Sequence, residues 1–175
     1  MTTFTHRVRH WLLPTRNPDV IIGGSDNPYL LRWHLIPRNR FFNIYLHNFL
    51  RSDDDRALHD HPWVNLSWLL VGEYDEAVPG EHDTDRFDRT YVLRHPHLHT
   101  RIRRREGAVV LRGAKAAHRV ALLKTPAGRE QPVWTLFITG PRVRRWGFWC
   151  PKGWRFWEDF VDTSNGENVV GRGCD

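Results

Sequence analysis

His59-Asp60-His61-Pro62-Trp63-Val64-Asn65-Leu66-Ser67-Trp68-Leu69-Leu70-Val71-Gly72 opens with two imidazoles one residue apart and continues as an apolar run interrupted by small polar groups. In an extended chain, residues two apart project to the same side, about 7 Å from each other. His59 and His61 can therefore converge on one ion if the chain curves. Trp63, Asn65, Ser67 and Leu69 share their parity. A His-x-His pair alone says little in a chain with 11 histidines, and His95-Pro96-His97-Leu98-His99 supplies two more such pairs. The first pair gains weight from a distant block, in which Gly107 is followed by five residues and Gly113, and His118 comes five positions later.

The sequence around both blocks reads as strand after strand. Segments 29–36, 41–49, 63–74, 89–93, 100–105, 108–111, 119–123 and 133–139 are rich in β-branched and aromatic residues and are separated by Gly, Pro and Asp turns. Nothing between 29 and 145 keeps a 3.6-residue period with caps. Many short strands with Gly/Pro punctuation predict an all-β sandwich or barrel. Residues 1–28, broken by Pro14, Pro18, Gly23, Gly24 and Pro28, read as an N-terminal arm. Residues 29–161 form one domain, and 162–175 a polar, glycine-rich tail that is expected to fray. The stretch 146–161 is dense in tryptophan and forms an aromatic C-terminal cap. Trp154, Trp157, Phe160 and Val161 have helical spacing there, which suggests a short closing helix.

The two histidine blocks resemble the paired motifs of the cupin superfamily. The first reads His-x-His, three or four residues, Glu, six residues, Gly; the second reads Gly, five residues, Pro-x-Gly, two residues, His. The spacing is met at His59, His61, Gly72, Gly107 and His118, and the resemblance covers about residues 30–140. Several letters differ. Asn65 stands in place of the glutamate, Asp53 where the first motif begins with Gly, Gly113 and Lys115 where Pro and Gly are usual, and Leu122 where an Asn often sits. The phrases His59-Asp60-His61-Pro62-Trp63, Leu70-x-Gly72-x-Tyr74-x-Glu76 and Gly140-Pro141 with Trp146-Gly147-Phe148 are also similar to a group of small bacterial and phage cupin-like proteins.

The resemblance implies a single cupin-type jelly-roll β-barrel with a divalent metal at His59, His61 and His118. Three neutral imidazoles leave the ion its full double charge, which favours anionic, chelating ligands at the open positions. This three-His arrangement is similar to the thiol and diketone-cleaving dioxygenases. It implies iron(II), O₂ and a small anionic substrate such as a carboxylate, thiolate or enolate; zinc, manganese, nickel and copper are the other ions such a site takes. A zinc-type hydrolase or lyase, an isomerase, a non-catalytic metabolite-binding cupin and a basic nucleic-acid or phage-assembly protein stay open as alternatives. Pairing into a homodimer is a family-level expectation.

Around the metal, Glu76 is a candidate base placed past the end of a strand, near the barrel mouth. Tyr45 is a second catalytic candidate. It alternates with Asn43 and His47 on one strand face, and either that face or the one carrying Phe42, Ile44 and Leu46 lines the interior. Asn43, Asn65, Ser67, Arg32 and Arg144 are candidate substrate-binding residues, since an arginine fork matches a carboxylate. Asp54, Asp55 and Asp60 are candidate acceptors for the second nitrogens of the imidazoles, whereas Asp53 reads as part of a solvated acidic turn. His97, His99, Arg101, Arg103 and Arg105 read as an exposed stripe on one strand face.

The 175 residues carry 26 basic and 20 acidic side chains, a net charge of +6. Such a surface attracts polyanions. Its arginine runs lack the interleaved aromatics of a stacking platform, so nucleic acid is not the expected partner. No apolar run approaches the roughly 20 residues that cross a bilayer, so no membrane partner is expected. Cys150 and Cys174, with no C-x-x-C, exclude a disulfide scaffold and a cysteine zinc site, and make a reducing cytoplasm the default expectation.

Overall fold

The run that follows His61 forms two strands rather than one. A computed structural model of the chain describes residues 14–53, 57–80, 87–162 and 169–175. In it β5 (Asn65–Val71) and β6 (Glu73–Pro79) meet at Gly72. Gly72 has φ +87°, and a Cβ at this position would lie 2.9 Å from Val133 Cγ1. Only glycine takes such a φ without steric cost. The facing chain makes the same turn at Gly107, φ +88°, between β7 (His99–Arg105) and β8 (Val109–Arg112). β5 pairs with β8, Trp68 opposite Val109, and β6 pairs with β7, Glu73 opposite Arg105. The outcome is one antiparallel ribbon folded over at a two-glycine corner. The two motif glycines are therefore the places where the chain passes from one sheet to the other.

A second ribbon is wrapped against the first. β3 (Asn43–Phe49) pairs with β10 (Val133–Thr139), from Asn43 opposite Thr139 to Phe49 opposite Val133. It continues through Asp53 N–H to Val120 C=O at 3.0 Å and through an antiparallel bridge between His59 and His118. With β1 (Val20–Ile22) and β2 (Leu30–His34), the first sheet has the order β1-β2-β3-β10-β5-β8. The second face consists of β7-β6-β9, where β9 is Arg119–Leu122, and of β12-β11-β4, made by Gly153–Phe156, Gly147–Cys150 and Leu58–His59. The His59–His118 bridge joins these two groups of strands. Two antiparallel sheets built from two folded ribbons make a jelly roll, the all-β architecture the strand pattern predicts.

The six-stranded sheet has two different faces. Its outer rows are apolar: Trp33, Leu46, Leu136, Trp68 and Val109 are successive cross-strand neighbours, and Trp33 stacks on Trp134 at 5.4 Å. Its inner rows are mixed. One end of the interior holds Leu69, Tyr74, Val120, Leu122 and Val133. The other presents Asn43, Thr139, Asn65 and Arg112 in one row and Arg32, His47 and Thr135 in another. Tyr45 and His47 belong to the inner face, because His47 packs on the Phe137 ring that His61 also touches and Tyr45 shares its parity. This settles the alternation of β3: Ile44 and Leu46 face outward.

Several sequence expectations change. Segment 89–93 is a helix, α1 (Arg89–Arg94), because Asp88 caps it by accepting from Thr90 N–H at 3.1 Å and one turn buries both Val92 and Leu93. The closing helix contracts to α2 (Trp157–Phe160), since Trp154 is drawn into β12 opposite Trp149. Part of the N-terminal arm is strand β1, hydrogen-bonded to β2; residues 1–13 lie outside the described residues. The tail is anchored where it is described: Val169–Val170 pairs with Val161–Asp162, Gly173 N–H donates to Phe160 C=O at 3.1 Å, and Cys174 is disulfide-bonded to Cys150. The two cysteines expected as free thiols are thus a pair. The aromatic cap is present, with Trp146 stacked on Trp157 at 5.7 Å beside a cluster of Ala57, Phe148, Cys150 and Phe160. Among the described residues no helix is long and apolar enough to cross a membrane.

Candidate metal centre

His59 ends β4, His118 stands just before β9, and their backbones exchange two hydrogen bonds, 2.9 Å from His59 N and 3.0 Å from His118 N. Antiparallel pairing of this kind brings side chains close on the same face. His61 lies beyond the strand and is held by its N–H to Ala114 C=O at 3.3 Å. The three rings gather with centroids 4.8–5.2 Å apart, and one nitrogen of each lies within 4.8 Å of the others. His61 Nε2 and His118 Nε2 are 2.9 Å apart. Two imidazole nitrogens bound at about 2.1 Å to one ion lie about 3 Å apart, so the donor set fits a divalent metal.

Carboxylates stand behind two of the rings. Glu76 Oε1 is 2.9 Å from His118 Nδ1, and Asp53 Oδ2 is 3.7 Å from His59 Nδ1. An acceptor at Nδ1 orients the ring and leaves Nε2 as the donor to the centre. Asp53 is itself fixed by Val120 N–H at 2.6 Å and by the Tyr29 hydroxyl. It is therefore not part of a solvated turn: it is 8% exposed and packs behind the cluster.

Glu76 departs from its expected place at the barrel mouth. It lies within β6, is fully buried, and is held by Arg112 Nε at 2.8 Å, by Arg112 Nη2 and by Arg104 Nε at 2.7 Å. Burial would raise its pKa, but the hydrogen bond and charge of His118 and the neighbouring arginines hold its carboxyl well below the usual range. A carboxylate so engaged is a structural anion for His118 rather than a base open to substrate. Burial, reinforced by Arg112, lowers His118 to about 4. Burial, with the charges of His118 and His59, also pushes His61 well down. Both rings are neutral at pH 7, the state a metal ligand needs.

The other candidates separate. Asn65 is 1% exposed on the inner face, and neither of its amide atoms has a hydrogen-bond partner among the described residues. Ser67 is 8% exposed on the same face, and Tyr45 also lies inside. Arg32 donates from Nε to His47 Nε2 at 2.8 Å and lies 4.8 Å over the Tyr45 ring. Asn43 is used up locally: its Oδ1 accepts from Asn39 N–H and its Nδ2 donates to Asn39 C=O, both at 3.0 Å, which fixes the turn before β3. Arg144 is a brace: it meets Asp60 Oδ1 at 2.9 Å and the carbonyls of His61 and Ala114 at 3.4 and 3.2 Å. Asp60 is 1% exposed but points to the cap, accepting from Gly147 N–H and Trp154 Nε1. It does not support an imidazole, and Asp54 and Asp55 lie outside the described residues.

The histidine run also resolves. His95 stacks on Tyr91 at 3.8 Å, His97 sits in a 3₁₀ turn, and only His99 enters β7. Among the described residues the sole histidine–carboxylate group able to hold an ion is His59, His61 and His118. The stripe on β7 is partly neutralised, with Arg103 on Asp75 at 2.5 Å and both Arg103 and Arg105 near Glu73.

A jelly roll folded at two motif glycines, with three histidines gathered inside from the two facing strands of one ribbon, has the cupin-type architecture. No family model and no curated protein matches the chain. Solved structures with a similar fold include the DMSP lyase DddQ of Ruegeria pomeroyi, at 14% identity over 75% of this chain and 56% of that one, with TM-score 0.46. Others are a cupin superfamily protein of Desulfitobacterium hafniense, at 14% identity over 75% and 85% with TM-score 0.44, and iron(II) HppE, at 14% over 73% and 57% with TM-score 0.47. The chain spans little more than half of the lyase's length. Likenesses at this level leave the activity to be argued from the site itself.

Proposed function

We propose that the protein is a metal-dependent cupin-type enzyme in which His59, His61 and His118 hold one divalent ion, and that the reaction is an iron(II)-dependent oxygenation of a small anionic molecule. The observation that supports this most is the meeting of three imidazole nitrogens within 4.8 Å, two of their rings backed by buried carboxylates. Iron bound there would supply O₂ and redox chemistry, and its undiminished charge would favour an anionic ligand. The chain's own part is to hold the rings, to exclude water with the aromatic cap, and to present Asn65, Ser67 and Tyr45 to whatever enters. Asn65 in particular offers two buried amide atoms that await partners.

The same three imidazoles equally suit zinc, which makes a hydrolase or lyase the second reading. Elemental analysis of untagged protein together with O₂ uptake separates the two. Iron with uptake supports oxygenation; zinc without uptake replaces it. His118→Ala is expected to lose both the ion and activity, and a stoichiometric ion retained by that variant overturns the ligand set. A chelator is expected to lower the melting temperature of the metal-loaded protein by mass action.

A further inference from the structure

One row of the inner face carries Arg32, His47 and Thr135 as cross-strand neighbours. Arg32 Nε–H donates to His47 Nε2 at 2.8 Å. That bond requires a lone pair on Nε2, so neutral His47 carries its proton on Nδ1. The resulting Nδ1–H is a buried donor with no acceptor, on a side chain only 2% exposed. Thr135 Oγ1, beside it, is likewise buried without a partner, and Thr135 is also 2% exposed. Arg32 has no carboxylate within ion-pair distance among the described residues; its neighbours are the Tyr45 ring and His47. A guanidinium, an imidazole N–H and a hydroxyl thus lie side by side in one cross-strand row, with donors in excess and no anion among the described residues. Leaving such groups unpaired is costly, so an acceptor-rich ligand is what the row lacks.

The row is close to the three histidines. His47 and His61 pack against the same Phe137 ring, with centroids at 5.1 and 6.0 Å. We infer that Arg32, His47 and Thr135 form a carboxylate subsite one phenyl ring away from the histidine cluster, so that the ligand is a small acid with its anion on Arg32 and a second, metal-binding group several bonds away. This inference rests on the proposed metal site for the second group only; the carboxylate subsite stands on the chain's own donors.

The test uses the full chain stripped of metal and then loaded with zinc, titrated by calorimetry with acetate and with glutarate. Metal-free protein is expected to bind both through Arg32. Zinc loading is expected to tighten glutarate about tenfold or more over acetate, because only the diacid reaches both groups. Arg32→Gln is expected to weaken both acids about tenfold or more, Arg32→Lys less, since a lysine keeps the charge but not the fork. Arg32 is partly buried with no carboxylate partner among the described residues, and a glutamine can still donate to His47 Nε2, so the melting temperature of ligand-free Arg32→Gln is expected to equal or exceed that of the native chain. A lower one marks Arg32 as merely structural and overturns the inference. So does failure of metal-free native protein to bind either acid, or equal binding by Arg32→Gln. Binding by the metal-free chain with no gain on zinc loading leaves the carboxylate subsite in place and overturns the two-ended ligand, while failure of the chain to take up stoichiometric zinc overturns the metal site by itself.

Discussion

Glu76 shows how one side chain can decide a site without touching its chemistry. It accepts from Arg112 and Arg104 and meets His118 Nδ1, and is itself fully buried. Glu76→Gln keeps the volume but leaves two arginines facing an amide. Breaking a buried ion pair from one side costs about 3–5 kcal/mol, so urea unfolding of the metal-free variant is expected to show a loss of that order. Replacing the carboxylate behind a ligating ring with a neutral amide is expected to lower metal affinity by about 10–100-fold, which a competition titration measures. The three histidines were legible because their spacing is written along the chain. The roles of Glu76 and Asp53 were not, since they depend on which residue of β6 faces Val120 and on the Asp53–Val120 backbone bond. The shared parity of Tyr74 and Glu76 along one strand, with Arg112 just before Gly113, was the available signal of a buried pair.

Among the elements, the bent ribbon carries most of the architecture. Gly72→Ala must hold a side chain at φ +87° and push Val133 Cγ1 away from 2.9 Å. Such strain costs about 1–3 kcal/mol, and a drop in the denaturation midpoint at unchanged m-value is expected. The sequence showed the strands and both glycines, but not that one run of twelve residues would split between sheets, because Gly72 stands only two residues from its end and its positive φ is a property of the backbone. It also hid α1. Six residues are too few for a helical period to stand out, although Asp88 two positions before Thr90 was a readable cap. The cysteines lie 24 residues apart, and only the return of the tail onto β11 brings them together.

For the molecule as a whole, the buried histidines set the response to acid. His47 and His61 are pushed well below their ordinary pKa and His118 to about 4, burial being the largest cause in each. In the unfolded chain these imidazoles take up protons below about pH 6.5. The folded chain resists until lower pH, so the unfolded state binds more protons and stability falls as pH drops. Metal-free protein is expected to be at full stability above about pH 6.5 and to lose it progressively toward pH 4, with a slope of up to about 1.4 kcal/mol per pH unit for each histidine. Urea melts across that range measure the slope, and His47→Asn is expected to make it shallower.

The paired backbones of His59 and His118 have one more consequence. Their two amide–carbonyl bonds span the seam where the strand group β7-β6-β9 meets the group β12-β11-β4, so the gap between those imidazoles is set by main-chain geometry as much as by rotamers. Such a jaw has little slack. A cation of unsuitable radius would have to pry the seam open, and size would then sort the ions that enter before their intrinsic affinities do.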